Sequence, residues 1–187
     1  NTLSYSSPSF TVGDPNSPPS ASFTTDSPVL TSEDFGLSAW GSSDPDGDSL
    51  NYEWDTDEDG IYDDASGVSP SESKSDDGSY TISLRVSDGN GGSDTYTGSV
   101  SVENRDPTAS FSFSPSNPAI GELVSFNGAG SDNDGSISSH EWDWTNDGVF
   151  DASGPNPTHS YSSEGDYTVK LRVTDNDGGK DVYTNVV

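Results

Sequence analysis

The chain has 187 residues and a net charge of -27, from 33 acidic and 6 basic residues; nucleic acid and anionic membrane surfaces would repel it and are excluded as partners. Hydrophobic residues are only 27 % of the total, but aromatics reach 10 %, which excludes the aromatic-poor composition of a disordered acidic chain and points to a folded, thin-cored all-β protein. Cysteine and methionine are absent, so no disulfide can staple the fold, a metal is the obvious substitute, and Asn1 is expected to open a processed form or a piece of something longer.

Along the chain, Leu3, Tyr5, Phe10 and Val12 form two short alternating pairs, and "FTVGDPNSPP" reads as a strand end running into a linker. Phe35, Leu37 and Ala39 then alternate with other residues at the period of a half-buried strand. The turn "DPDGD" follows, then Trp54, a core aromatic, and directly after it the acidic run "DTDEDGIYDD". Tyr80, Ile82, Leu84 and Val86 alternate in the next strand, "DGNGG" turns the chain, and "TYTGSVSVEN" closes the unit.

Beyond "VENRDPTASF" the pattern starts again. Val124 and Phe126 alternate, "SDNDG" turns, and Trp142 precedes "DWTNDGVFD". "PTHSY" leads to the alternating Tyr167, Val169, Leu171 and Val173, "DNDGG" turns, and "VYTNVV" is the last strand. No stretch holds a helical period or is apolar for long enough to enter a membrane.

Trp54 recurs as Trp142, Tyr80 as Tyr167 and Pro19 as Pro107, so the chain holds two copies of a unit of about 87 residues, each an antiparallel sandwich of about seven strands. The expected division is an N-terminal strand and linker over 1–18, a first domain over 19–104 and a second over 105–187. The second copy stops about two residues short in its closing strand, and the N-terminal pairs look like the end of such a strand. Either the chain is a window cut from a tandem array of neighbouring repeats, or its first strand completes a neighbour's sheet in a head-to-tail homopolymer.

The acidic run has the ligand spacing of a calcium loop: Asp55, Asp57 and Asp59 at positions 1, 3 and 5, Gly60 at 6, the carbonyl of Ile61 at 7 and Asp63 at 9. Calcium takes roughly six to eight oxygens, and closely spaced aspartates deliver them from one short loop. Ser66 stands where position 12 calls for a bidentate glutamate, so Asp64 or water would complete the set. The second copy offers Asp143, Asp147, Val149 and Asp151, with Thr145 in place of the second aspartate, which makes a weaker set. The opposing reading is a solvated acidic turn, with a saline habitat screening the self-repulsion.

The run "GELVSFNGAGSDNDGSISSHEWDWTNDG" followed by "PTHSYSSEGDYTVKLRVTDNDGG" resembles the PKD domain, the immunoglobulin-like module named after the polycystic kidney disease protein. The resemblance covers nearly the whole unit in both copies, although the first has "SPSESKSDDGSY" in place of the "PTHSY" run. It implies two tandem β-sandwich domains joined by a short linker, of the kind used as extracellular spacers, adhesion and surface-layer modules and accessory modules of secreted proteases and chitinases. The calcium-binding PKD modules of secreted collagenases resemble this chain in the linker, the "SxDxDG" turn and the end of the "LxVxD" strand. That resemblance implies a calcium site at Asn16, Ser17, Asp44 and Asp88, and another at Asn104, Asp132 and Asp175 with Arg105 replacing the serine; Asp46 and Asp134 are further ligands. The opposing reading is that "DPDG" and "DNDG" are simply good β-turns.

Catalysis finds little support. His140 and His159 are the only histidines, no nucleophile elbow occurs, and the carboxylates sit in hydrophilic turns rather than a cleft. Trp40, Tyr62, Trp144 and Phe150 could form a sugar-binding surface, against a role in packing. The expectation is therefore a non-catalytic, secreted, calcium-stabilised structural protein of a prokaryotic, in particular archaeal, cell-surface filament, surface layer or adhesin. The rival is an accessory spacer or carbohydrate-binding module of a secreted hydrolase.

Overall fold

A computed structural model describes residues 15–187; the strand expected around Leu3, Tyr5, Phe10 and Val12 lies outside them. The described residues are all-β, without a helix, so none is long and apolar enough to cross a membrane. The first copy contributes β1 (Thr24–Thr25), β2 (Val29–Leu30), β3 (Phe35–Ser38), β4 (Asn51–Asp55), β5 (Ala65–Ser66), β6 (Ser71–Glu72), β7 (Gly78–Ser87) and β8 (Ser93–Glu103). The second contributes β9 (Thr108–Ser114), β10 (Val124–Ser131), β11 (Ile137–Asp143), β12 (Ala152–Ser153), β13 (Thr158–His159), β14 (Thr168–Asp175) and β15 (Lys180–Val186). The extra strand of the first copy is β2, whose two residues are too few to carry a period.

By contacts the chain forms two compact units. The first takes in the described residues up to Ser27 together with Phe35–Glu72 and Ser79–Val100. Its small sheet runs β1-β3-β6, and its larger one runs through β8, β7, β4 and β5. Trp54 of β4 lies opposite Leu84 of β7, and Tyr52 opposite Val86. The strict alternation of β7 thus sends Ile82, Leu84 and Val86 to one face, where they are fully buried with Phe35, Leu37 and Trp54. Burying each such side chain contributes about 1.5–3 kcal/mol. Trp54 also satisfies its indole, donating from Nε1 to the Gly67 carbonyl at 2.9 Å.

The second unit takes in Pro28–Asp34, Ser73–Gly78 and Ser101–Val187. Its sheets run β13-β10-β9 and β12-β11-β14-β15, enclosing Phe111, Val124, Phe126, Trp142, Trp144, Val169, Leu171 and Val173. Trp142 faces Leu171 across the β11–β14 ladder and donates to the Gly154 carbonyl at 2.8 Å, repeating the first unit's arrangement. Within this unit β2 pairs in parallel with Val102 and Glu103 at the end of β8.

The aromatics considered for sugar binding take separate places. Trp144 is buried, stacked on Trp142 and on His159. Tyr62 and Phe150 cover Arg85 and Arg172, which pair with Glu53 and Glu141 across their ladders. Trp40 remains 76 % exposed.

Candidate metal centre

β7 ends at Ser87, and the next residue, Asp88, is only 5 % exposed. Its Oδ1 accepts the N–H groups of Asn90 (2.7 Å) and Gly92 (2.9 Å), so the carboxylate shapes the following turn. Its Oδ2 accepts Asn16 Nδ2 at 2.8 Å, which ties the linker to the strand end. The Asn16 bond, with those main-chain donors and against the effect of burial, holds the Asp88 carboxyl below the ordinary aspartate range. Nearby, Ser17 N–H donates to Asp46 Oδ2 at 2.6 Å, while Asp44 Oδ1 accepts Asp46 N–H at 2.8 Å. Carboxylate oxygens of Asp44, Asp46 and Asp48 approach within 4.8 Å of one another.

The second unit repeats this construction bond for bond. Asp175, last in β14, accepts Asp177 N–H (2.9 Å) and Gly179 N–H (2.8 Å) on Oδ1 and Asn104 Nδ2 (2.9 Å) on Oδ2. Burial pushes the Asp175 carboxyl up, but these bonds outweigh it and hold it below the ordinary value. Arg105 N–H donates to Asp134 Oδ2 at 3.0 Å, in the place of Ser17 and Asp46. The exchange of serine for arginine therefore leaves this contact intact, because both residues make it with the main chain. The Arg105 guanidinium turns away and donates from Nε to the Thr31 carbonyl at 2.9 Å. Thr31, which sequence reasoning missed, adds its hydroxyl to Asp134 Oδ2.

Both centres leave buried carboxylate oxygens without a hydrogen-bond partner among the described residues: Asp44 Oδ2 in the first, Asp132 Oδ2 and Asp134 Oδ1 in the second. An anionic oxygen cut off from both water and donors is costly. The Asp134 carboxylate beside it, together with burial, pushes Asp132 above the ordinary range, and burial with the charges of Asp77, Asp175, Asp134 and Asp76 does the same to Asp177. A hard, oxygen-seeking cation is the group that this donor set fits.

Two glycines make room for the arrangement. A Cβ at Gly92 would overlap the Asp88 carboxylate and come within 2.9 Å of Pro18 Cα. One at Gly179 would overlap the Asp175 carboxylate and come within 2.6 Å of Asn104 Nδ2. Neither has a signature in the sequence beyond an ordinary turn glycine.

The acidic loops are built differently. Asp55, buried at the end of β4, accepts Glu58 N–H on Oδ1 (2.8 Å) and Gly60 N–H on Oδ2 (3.1 Å). Asp143, fully buried at the end of β11, accepts Thr145 and Asp147 N–H on Oδ1 and Gly148 N–H on Oδ2. Asp57, Asp59 and Asp147 each accept the N–H two residues on, from Asp59, Ile61 and Val149. These aspartates hold their own turn.

Carboxylate oxygens of Asp55, Asp57 and Asp64 lie within 4.8 Å of one another, with Asp59 and Asp63 outside the group. Asp64, not Asp63, is the counterpart of Asp151. The N–H groups of Asp64 and Asp151 donate to the Trp54 and Trp142 carbonyls, and their carboxylates accept the N–H of Thr56 and Trp144. The shared "DAS" after each loop carries that signal, with Asp63 as a one-residue insertion. The side chains of Ile61 and Val149 are exposed.

A family model described as "PKD domain" matches residues 16–103 and again 104–187. Collagenase ColA of Clostridium perfringens is 37 % identical over 110 residues, which are 54 % of this chain and 10 % of that protein. Pre-pro-metalloprotease PrtV of Vibrio cholerae is 31 % identical over 137 residues, 73 % of this chain and 14 % of that protein. The chain thus spans only a small part of the length of these relatives. Among solved structures, the PKD1 domain of Vibrio anguillarum Epp is 35 % identical, covering 46 % of this chain and 94 % of that one at a TM-score of 0.38. The PKD1 domain of Vibrio cholerae metalloprotease PrtV is 34 % identical, covering 44 % and 95 % at a TM-score of 0.38.

Proposed function

The chain belongs to the PKD domain family, and on that premise we propose that it serves as a non-catalytic accessory spacer of a secreted hydrolase, with calcium fixing the linker to each module. PKD domains are immunoglobulin-like sandwiches that carry no catalytic machinery of their own. The hydrolase context is supported by relatives named as a collagenase and a metalloprotease. None of these names points to a filament or surface layer, so the accessory reading takes precedence over the structural one expected from sequence. The same context supports an extracellular location.

The observation that carries the calcium reading is the set of buried oxygens on Asp44, Asp132 and Asp134, without a donor among the described residues, beside Asn16 and Asn104. Asp88 and Asp175 would supply the further charge. Such an ion would join a linker asparagine, a turn and a strand end, and so stiffen the chain where it enters each module.

Calorimetric titration with Ca²⁺ tests this directly, and two ions per chain are expected. No binding at fixed ionic strength would reject the metal. For the hydrolase context, the complete open reading frame is expected to encode a catalytic domain; a frame holding only further repeats and an anchor would return the reading to a surface structure or adhesin.

A further inference from the structure

Two turns in the second unit are built alike, at residues 30–33 and 119–122. In each, the first N–H donates to a glutamate carboxylate at the fourth position: Leu30 to Glu33 at 3.2 Å, Ala119 to Glu122 at 2.8 Å. The fourth N–H returns to the first carbonyl, at 3.0 and 2.9 Å. The third residue, Ser32 or Gly121, is left-handed, with φ of 58° and 76°, and donates its N–H to the Lys74 or Tyr161 carbonyl. Thr31 and Ile120 therefore occupy the same place at the tip.

Their surroundings differ. Thr31 is 2 % exposed. Its N–H donates to the Glu103 carbonyl at 3.0 Å, its carbonyl accepts Arg105 Nε, and its hydroxyl donates to Asp134. The cover is thus a strand end, a linker residue and an acidic turn. Ile120 is 59 % exposed, and beside it opens a cavity of about 610 Å³ lined in part by Tyr161, Tyr167 and Val187. The Tyr161 hydroxyl is buried, with no hydrogen-bond partner among the described residues.

We propose that the turn at Ile120 is a docking surface for a second copy of this chain. That copy seats on it the linker at Asn16 and Ser17 and the acidic turn at Asp44 and Asp46, as Arg105, Asp132 and Asp134 seat on Thr31. The proposal rests on the repeat of construction and is independent of the hydrolase reading. The linker and acidic turn of the first unit reproduce those of the second, with Asn16 on Asp88 for Asn104 on Asp175, and Ser17 on Asp46 for Arg105 on Asp134. Asp134 Oδ2 receives two donors, from Arg105 and Thr31, whereas exposed Asp46 Oδ2 receives Ser17 N–H. Among the described residues, one chain therefore carries both halves of the contact, a bare turn tip and an acidic turn lacking the second donor. Ile120 has no hydroxyl to give, so it contributes apolar burial at the mouth of the cavity.

The chain has no cysteine, which makes cross-linking clean. Ile120→Cys mixed with Pro45→Cys in Ca²⁺ should give heterodimers faster than Ile120→Cys mixed with Ser99→Cys, an exposed control position. By sedimentation, Ile120→Asp should weaken self-association about tenfold or more, since it faces Asp46 with a like charge. Its melting temperature should be unchanged, because the side chain is exposed. Ile120→Thr should strengthen association by restoring the donor that Thr31 supplies. Equal cross-linking at the control position, or association insensitive to Ile120→Asp, overturns the proposal. So does a chain that stays monomeric at millimolar concentration in calcium, whether or not the cavity takes up an oligosaccharide.

Discussion

In the loop after Trp142, both Asp143 oxygens accept main-chain N–H groups; in the turn after β10, Asp132 Oδ2 is buried with no donor among the described residues. The two regions are similarly rich in aspartate, and the loops are the denser of the two. What separates them is where the donors are. A β-strand that ends in Asp-x-x-x-x-Gly can fold its own N–H groups onto the carboxylate, so the charge is satisfied within about five residues. At the linker centres the carboxylates come from a turn and a strand end distant in sequence, the local N–H groups reach only one oxygen of Asp44 and of Asp132, and among the described residues the other oxygens are left over. Carboxylate density does not separate the two regions; unmet acceptor capacity among the described residues does.

The largest effect that would sharpen this contrast is removal of calcium. With one calcium ion held at each centre as proposed, saturation at 100 times Kd should stabilise each module by about 2.7 kcal/mol, on the order of 10 °C in melting temperature for a domain of this size. Melts in Ca²⁺ and in chelator that coincide at fixed ionic strength would erase the distinction between the regions. Mg²⁺ should restore little of the effect, since it demands a tighter octahedral site.

Next in size is the exchange of one region for the other. Asp132→Asn with Asp175→Asn should remove one ion from the calorimetric count and the second module's share of calcium stabilisation. Asp55→Ala with Asp57→Ala should leave the count unchanged. A lost ion in the loop variant would show that the Asp55, Asp57 and Asp64 group binds after all.

Asp143→Ala should then lower stability by about 2 kcal/mol with calcium affinity untouched, because it strands the N–H groups of Thr145, Asp147 and Gly148. Urea melts at matched calcium measure it, and an effect that disappears in chelator would assign Asp143 to the metal instead. The smallest expected change is Gly179→Ala, whose Cβ presses on Asp175 and Asn104 and should weaken the second site about tenfold, or about 1.4 kcal/mol. Unaltered affinity would mean that the linker can shift without cost.

Much of the fold was legible because it is written in local periods. Tyr80, Ile82, Leu84 and Val86 announce β7, and the recurrence of Trp54 as Trp142 announces the duplication. β2 was not legible, since two residues hold no alternation. At the sites, family resemblance singled out Asn16, Asp44 and Asp88 with Asn104, Asp132 and Asp175, and the fold brings each set together. Thr31 was invisible because its partner Asp134 lies far along the chain. Gly92 and Gly179 were invisible because a missing Cβ means something only once its neighbours are known. That Asp64 rather than Asp63 is the counterpart of Asp151 was hidden for a plainer reason: in a run of adjacent aspartates, spacing alone cannot tell which one is inserted.

The tie between Asn104 and Asp175 also sets how the chain would carry tension. A pull transmitted along the backbone reaches Asn104 and Arg105 before it reaches β9, which begins at Thr108. The load would pass first into the carboxylates of Asp175 and Asp134, at a strand end and a turn, and only afterwards into the β9–β10 ladder. Under such a pull the linker contacts would be loaded before the sandwich and would act as a strain relief for it.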